Sequence, residues 1–242
     1  MASSLSLIFD RVVFFGRRYE EILNLFALSE DELRDKRILD CNSGPDGFVA
    51  GGHARGFDVT GCDPVYAKPI PDIEAMGRAD IEYARDLCER QPDMMTPEEM
   101  AAWTADKSAA LNAFLADFQT GHREGRYVAA SLPELPFEDN AFDLVLSSHF
   151  LFIGSHPDVG GMIDGGHFSQ EFHQQAIREL LRVCRGQVRI FPFTKVSGPN
   201  VLHPWAIDMM AELNREGYTQ SILENNYSQG KYTDHHVWSI DA

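Results

Sequence analysis

Asp40 and Asp63 each close a short β-prone run, 23 residues apart, and the turn Asn42-Ser43-Gly44-Pro45-Asp46-Gly47 lies between them. A carboxylate at a strand's end accepts the hydroxyls of a ribose, and small turn residues bring backbone N–H groups close to a ligand at a helix N-terminus. The segment therefore reads as a strand, a tight turn, a helix and a second strand arranged to hold a nucleoside. Gly44, Pro45 and Gly47 alone would mark only a bend. Asp63, at the end of the second strand, adds the chemistry.

A second group is acid–base in character. His149, His156, His167 and His173 fall within 25 residues, around the glycine-rich stretch 154–166. An imidazole titrates near neutrality and can take a proton from a hydroxyl or an ammonium. No HxxxH or HExxH spacing occurs, and the adjacent His235 and His236 would point to opposite faces of a strand, so no metal site is expected. The 154–166 loop is expected to be mobile and to close over a substrate.

The elements that position these residues follow from periodicity. The runs Ile38-Leu39, Val59-Thr60, Tyr127-Val128-Ala129, Phe142-Asp-Leu-Val-Leu-Ser147 and Val188-Arg-Ile-Phe191 are β-prone and mostly separated by helical patterns, which predicts parallel strands in a doubly wound α/β domain. Apolar positions at Ile8, Val12, Phe15, Tyr19, Ile22, Leu23 and Phe26 predict a helical N-terminal segment over 1–36. Between 64 and 125 the alternation fails, and two or three helices are expected, at 80–89, 97–103 and 107–119. Thr96-Pro-Glu-Glu supplies an N-cap with acids in the first turn. Placed after the second strand's carboxyl end, this insertion is read as a lid over the ligand, against a dimer interface or a packing decoration.

With 242 residues and 44% hydrophobic composition, one elaborated domain over 1–242 is expected. A net charge of −16 with no extended Lys/Arg cluster argues against nucleic acid and anionic membranes as partners. The four cysteines have no CxxC spacing, and the start lacks a basic region before its short apolar stretch; a cytoplasmic protein is expected.

Ile38-Leu-Asp-Cys-Asn-Ser-Gly-Pro-Asp-Gly47, Val59-Thr-Gly-Cys-Asp63-Pro64 and Leu135-Pro-Phe-Glu-Asp-Asn-Ala-Phe-Asp-Leu-Val145, in that order, resemble class I S-adenosylmethionine-dependent methyltransferases, and most closely their bacterial stand-alone small-molecule type. Ala176-Ile-Arg-Glu-Leu-Leu-Arg-Val-Cys-Arg-Gly186 with Val188-Arg-Ile-Phe-Pro192 is similar to the family's helix and fifth strand. The likeness covers 37–66 and 126–240. It implies a Rossmann-like sheet, mostly parallel with a C-terminal antiparallel hairpin, and S-adenosyl-L-methionine as cofactor.

Carried over by position, Asp40, Asn42, Ser43 and Gly44 would line the amino-acid end of the cofactor, and Asp63 with Pro64 the ribose. Ser131 and Leu132 would meet the adenine, and Ser147 and Ser148 would flank the methionine. Arg17 would pair with the cofactor carboxylate or, alternatively, balance Glu20 and Glu21 on a helix surface. Asp143 is expected to brace the sheet edge. Two departures stand out: Asn42 replaces the usual glycine, though Asn tolerates left-handed backbone, and Ala129-Ala130-Ser131 lacks an acid for the adenine amino group.

The implied reaction is methyl transfer to an O, N or S nucleophile of a small-molecule acceptor. His149, directly after the fourth strand, is the first candidate for catalysis, and His173 the second; each alternatively fixes a loop or lines a helix. The rival readings are a cofactor-binding protein without turnover and an NAD-dependent oxidoreductase. A homodimer is left open by the apolar lead-in.

Overall fold

The computed structural model describes residues 7–91, 94–196, 198–227 and 234–242. Five parallel strands, β1 (Arg37–Cys41), β2 (Asp58–Cys62), β3 (Tyr127–Val128), β4 (Phe142–Ser148) and β5 (Cys184–Phe191), are joined by an antiparallel pair, β8 (Gln220–Glu224) and β9 (His236–Asp241). Their order is β3-β2-β1-β4-β5-β9-β8, and a ribbon of β6 (Thr194–Lys195) and β7 (Gly198–Leu202) stands apart. The chain is thus a doubly wound, Rossmann-like α/β fold with a mostly parallel sheet and a C-terminal antiparallel hairpin. The order reverses between β1 and β4, and an open sheet of this kind leaves a ligand crevice at that switch point, outside the carboxyl ends.

Both sheet faces are covered, which is why the central strands read as near-continuous apolar runs. Ile38 and Leu144 point into one core, and Leu39 and Val145 into the other, as the two-residue period of a strand requires. Helices α3 (Phe48–Ala54), α6 (Gln170–Val183) and α7 (Pro204–Arg215) complete the layers. Asp143 accepts the Arg37 amide and both arms of Arg185, bracing the sheet's lower edge.

The N-terminal segment departs from the expected helix. Residues 7–18 form an irregular strap, and helix begins only at α1 (Tyr19–Leu25), followed by the single turn α2 (Glu30–Leu33); residues 1–6 of the lead-in lie outside the described residues. The strap's amides are used by distant groups: Phe14 donates to Asp80, and Arg17 to Asp46. Ile8 and Val12, assigned by spacing to a buried face, are 42% and 47% exposed.

The insertion consists of two continuous helices, α4 (Ile70–Glu89) and α5 (Pro97–Arg123). Thr96 caps α5 as its sequence predicts, accepting the Glu99 amide while Glu99 returns to the Thr96 amide. The expected break after Trp103 is absent because nothing between 103 and 107 opposes helix. Thr104 folds its hydroxyl back onto the Met100 carbonyl, and Lys107 is buried in the same helix. Phe114 and Phe118 pack with Tyr66 and Tyr127, tying α5 to the edge of the sheet.

Candidate active site

The turn after β1 has the predicted geometry. Asn42 and Gly44 adopt φ of +65° and +54°, the left-handed region where Asn substitutes for Gly at the least cost. Ser43 donates its amide to Cys62 O and its hydroxyl to Asp40 Oδ2 at 2.9 Å. Asp40 is buried, and its Oδ1 has no hydrogen-bond partner. Asp63 fastens the ends of β1 and β2 together: its Oδ2 accepts the Gly44 amide at 3.2 Å and its Oδ1 the Val65 amide at 2.9 Å. Tyr66, on the short turn that Asp63 caps, donates its hydroxyl to Gly44 O at 2.5 Å.

Carboxylates buried in this way resist ionisation. Burial pushes Asp40 up to about 7, with the charge of Asp63 adding to it, although the Ser43 hydroxyl pulls it back. Burial also raises Asp63 to about 6 against the two backbone amides it accepts. A cationic ligand group at Asp40's free oxygen would relieve both effects.

The strap is docked directly on this turn. Gly47 donates its amide to Arg17 O at 2.8 Å, and a Cβ built at Gly16 would lie 2.3 Å from Pro45 O. Behind it sits a buried charged cluster. The Arg17 guanidinium donates to the Tyr227 hydroxyl at 3.1 Å, and Lys107 Nζ lies 3.4 Å from Glu21 Oε1. Burial, reinforced by the Arg17 charge, lowers Lys107 to about 8.

The strap also walls an apolar cavity of about 210 Å³. The strap contributes Phe9 and Phe15, α5 contributes Trp103, and the segment after β4 contributes His149 and Phe150. His149 sits at φ +51° with its amide donated to Phe191 O at 2.7 Å, which turns the ring between Phe191 and Tyr227. Its Nδ1 is buried without a partner. Burial, then the charges of Arg17 and Lys107, holds its pKa well below the ordinary histidine value, so the imidazole is neutral at physiological pH.

The sequence-derived residues thus divide into groups. Asp40, Asn42, Ser43, Gly44, Asp63 and Pro64 come together at the ends of β1 and β2. Ser147 and Ser148 are buried at the end of the neighbouring β4, Ser147 Oγ without a partner. Ser131 is exposed and Leu132 buried, in a loop closed by a bridge from Ser131 to Glu134. Arg17 and His149 line the cavity; Arg17 is neither on a helix nor exposed, because the strap buries it.

His173 does not belong with them. It lies on α6 with its ring 5.0 Å from Trp205 and 5.5 Å from Phe152, Nδ1 bonded to Ser169 O, and it is absent from the cavity wall. The apolar neighbours i+3 and i+4 along α6, Ala176 and Ile177, place it in the second core instead. The 154–166 loop is also tightly packed: Ile163 pairs with Phe9, and a Cβ at Gly161 would lie 2.0 Å from Ser155 O. Gly154, Gly160, Gly161 and Gly165 allow close approaches there, whereas a Cβ at Gly166 would meet nothing within 4 Å and residues 164–167 are exposed. Among the described residues no group of three His, Cys, Asp or Glu side chains is placed to hold a metal ion. His156 accepts the Asp158 amide at 3.2 Å, packs against the His167 ring, and lies 3.4 Å from the carboxylates of Asp158 and Asp164.

Trp103 and Tyr227, together with the Thr194–Asp234 pair, line the cavity without having been singled out from sequence. Each is a lone polar or aromatic residue in its own segment, and only the tertiary fold assembles them.

No family model matches the chain. It is similar to an uncharacterized protein of Methanocaldococcus jannaschii, 27% identical over 190 residues that cover 77% of this chain and 80% of the relative. Among solved structures it is similar to magnesium protoporphyrin IX methyltransferase from Synechocystis PCC 6803, determined with bound S-adenosylmethionine. That match has a TM-score of 0.46 at 10% identity over 92% of this chain and 77% of that one. A SAM-dependent methyltransferase from Aquifex aeolicus aligns with a TM-score of 0.35 at 15% identity over 91% of this chain and 90% of that one.

Proposed function

We propose that the chain is an S-adenosylmethionine-dependent methyltransferase acting on an O, N or S nucleophile of a small molecule. The observation that carries this reading is the buried, unpartnered Oδ1 of Asp40, next to the Gly44 turn that Asp63 fastens, at the switch point of the sheet. An α-ammonium is a donor that this oxygen lacks, and each Asp63 oxygen keeps a lone pair for a ribose hydroxyl after accepting its backbone amide. Ser147 Oγ, also unpartnered, stands at the end of the adjacent strand.

Asp40 and the turn would hold the amino-acid end, Asp63 the ribose, and Ser131 and Leu132 the adenine edge. When bound, S-adenosylmethionine supplies a methyl group already activated on a sulfonium. The chain's own residues then orient the acceptor in line and exclude water, from which most of the rate derives. Residues 64–125 act as the lid, since Ala84, Cys88 and Trp103 on α4 and α5 wall the cavity.

Calorimetric titration with S-adenosylmethionine, S-adenosylhomocysteine and NAD tests the reading. Both sulfur nucleosides are expected to bind, NAD to be silent, and Asp63→Asn to weaken binding about 10- to 100-fold through loss of charge-assisted hydrogen bonds. Silence toward the nucleosides, or binding of NAD in their place, would overturn it.

A further inference from the structure

The cavity beside His149 has a composition that selects among acceptors. Its wall is largely apolar and carries the rings of Phe9, Phe15, Trp103, Phe150 and Phe191. Of its charged members Arg17 and Asp234 are engaged within the protein. Arg17 is engaged with the Tyr227 hydroxyl, and Asp234 accepts from the Thr194 hydroxyl and the His236 amide. Lys195 is half-buried at the ribbon. At about 210 Å³ the space falls below the roughly 300–1,000 Å³ of drug-sized pockets. It therefore suits a single ring.

Resting on the methyltransferase reading above, we propose that this cavity is the acceptor pocket and that it takes an uncharged, one-ring aromatic hydroxyl compound, a phenol, for O-methylation. An ammonium would have to desolvate beside Arg17, and among the described residues the carboxylate in the wall, Asp234, already accepts two hydrogen bonds. A carboxylate would give up its hydration in this apolar cavity, where the buried cation Arg17 already binds the Tyr227 hydroxyl. A neutral phenol does neither, and its ring fits the aromatic lining.

The fate of the proton agrees. As the O–CH3 bond forms and the C–S bond of the donor breaks, the electron pair leaves with sulfur and the phenolic O–H becomes strongly acidic. His149, neutral and weakly basic, takes that proton and passes it to solvent. An alkylammonium, with a pKa of about 10, would instead need deprotonation before attack, which so weak a base performs poorly.

Three compounds of one shape separate these cases: p-cresol, 4-methylbenzylamine and 4-methylbenzoate, each titrated calorimetrically into the full chain, with S-adenosylhomocysteine titrated in parallel. p-Cresol is expected to bind at least about ten-fold more tightly than either ion. Val13→Trp, which fills the cavity from the half-buried strap, is expected to abolish that binding; Met95→Trp plugs it from the opposite side if the first variant does not fold. With S-adenosylmethionine, His149→Gln is expected to lower turnover of p-cresol while leaving its dissociation constant within about two-fold.

Tighter binding of the amine or the benzoate, or p-cresol binding that survives both plugs, would overturn the proposal. Nucleoside binding without p-cresol binding would overturn the acceptor class alone. p-Cresol binding without nucleoside binding would overturn the methyltransferase reading and leave the preference of the cavity standing. Absence of both would overturn both.

Discussion

Asp40 keeps its proton in the folded chain up to about pH 7 because it is buried and faces Asp63, whereas in the unfolded chain an aspartate ionises near pH 3.9. Between those values the folded state binds more protons than the unfolded one, so the stability linked to this group is present at low pH and lost as pH rises through the window. Asp40→Asn removes the linkage. Without ligand, the melting temperature of the variant minus that of the unaltered protein is expected to climb from about pH 5 to about pH 7. A difference that stays flat would mean that Asp40 ionises normally. Taking the difference matters, because His149 and His203 are pushed down by burial and oppose the trend over part of the range. Asp40, Asn42 and Asp63 were legible in the sequence because their chemistry is local: strand ends and a turn fix their positions within a few residues. His173 was not, because its helix spacing to Ala176 and Ile177 marks a buried face, and only the tertiary fold shows that this face packs on Phe152 and Trp205 away from the cavity.

At the level of elements, the strap 7–18 decides whether the turn and the cavity stay joined. Its apolar spacing resembles a helix, yet its geometry is set by contacts with Asp46, Asp80 and Pro45, which are far away in sequence. Spacing alone could not distinguish the two. Gly16 is where the strap meets the turn most closely, and a methyl group there would collide with backbone on Pro45 that cannot step aside. Gly16→Ala is expected to cost about 1–3 kcal/mol in denaturant unfolding, the range for overpacking a filled core. It should also weaken nucleoside binding, since the displaced segment carries the Arg17 carbonyl that accepts the Gly47 amide. Unchanged stability would mean that the strap is not docked as described. By contrast α5 followed its cap signal at Thr96 closely, since capping is a local interaction.

For the molecule as a whole, the parallel sheet was legible because a strand buried on both faces must be apolar throughout, but the cavity was not. Its wall draws on the strap, α4, α5, the segment after β4 and the ribbon, and no sequence pattern links these pieces. Two backbone hydrogen bonds tie the strap to the segment after β4: Phe9 donates to Met162 O at 2.8 Å and accepts from Asp164 N at 2.9 Å. Loosening this junction should reach both segments, although each also holds amides elsewhere, Phe14 on Asp80 in the strap and Met162 on Ile153 O in the loop. The Phe9 ring is buried, so Phe9→Ala is expected to loosen this junction and to speed amide hydrogen exchange across both 7–17 and 153–164, with β4 and β5 unaffected. A ligand filling the cavity is expected to slow both segments in the unaltered protein, because it touches both walls. If exchange in the strap accelerated while 153–164 kept its protection, the two walls would be independent, and access to the cavity would be governed by the strap alone.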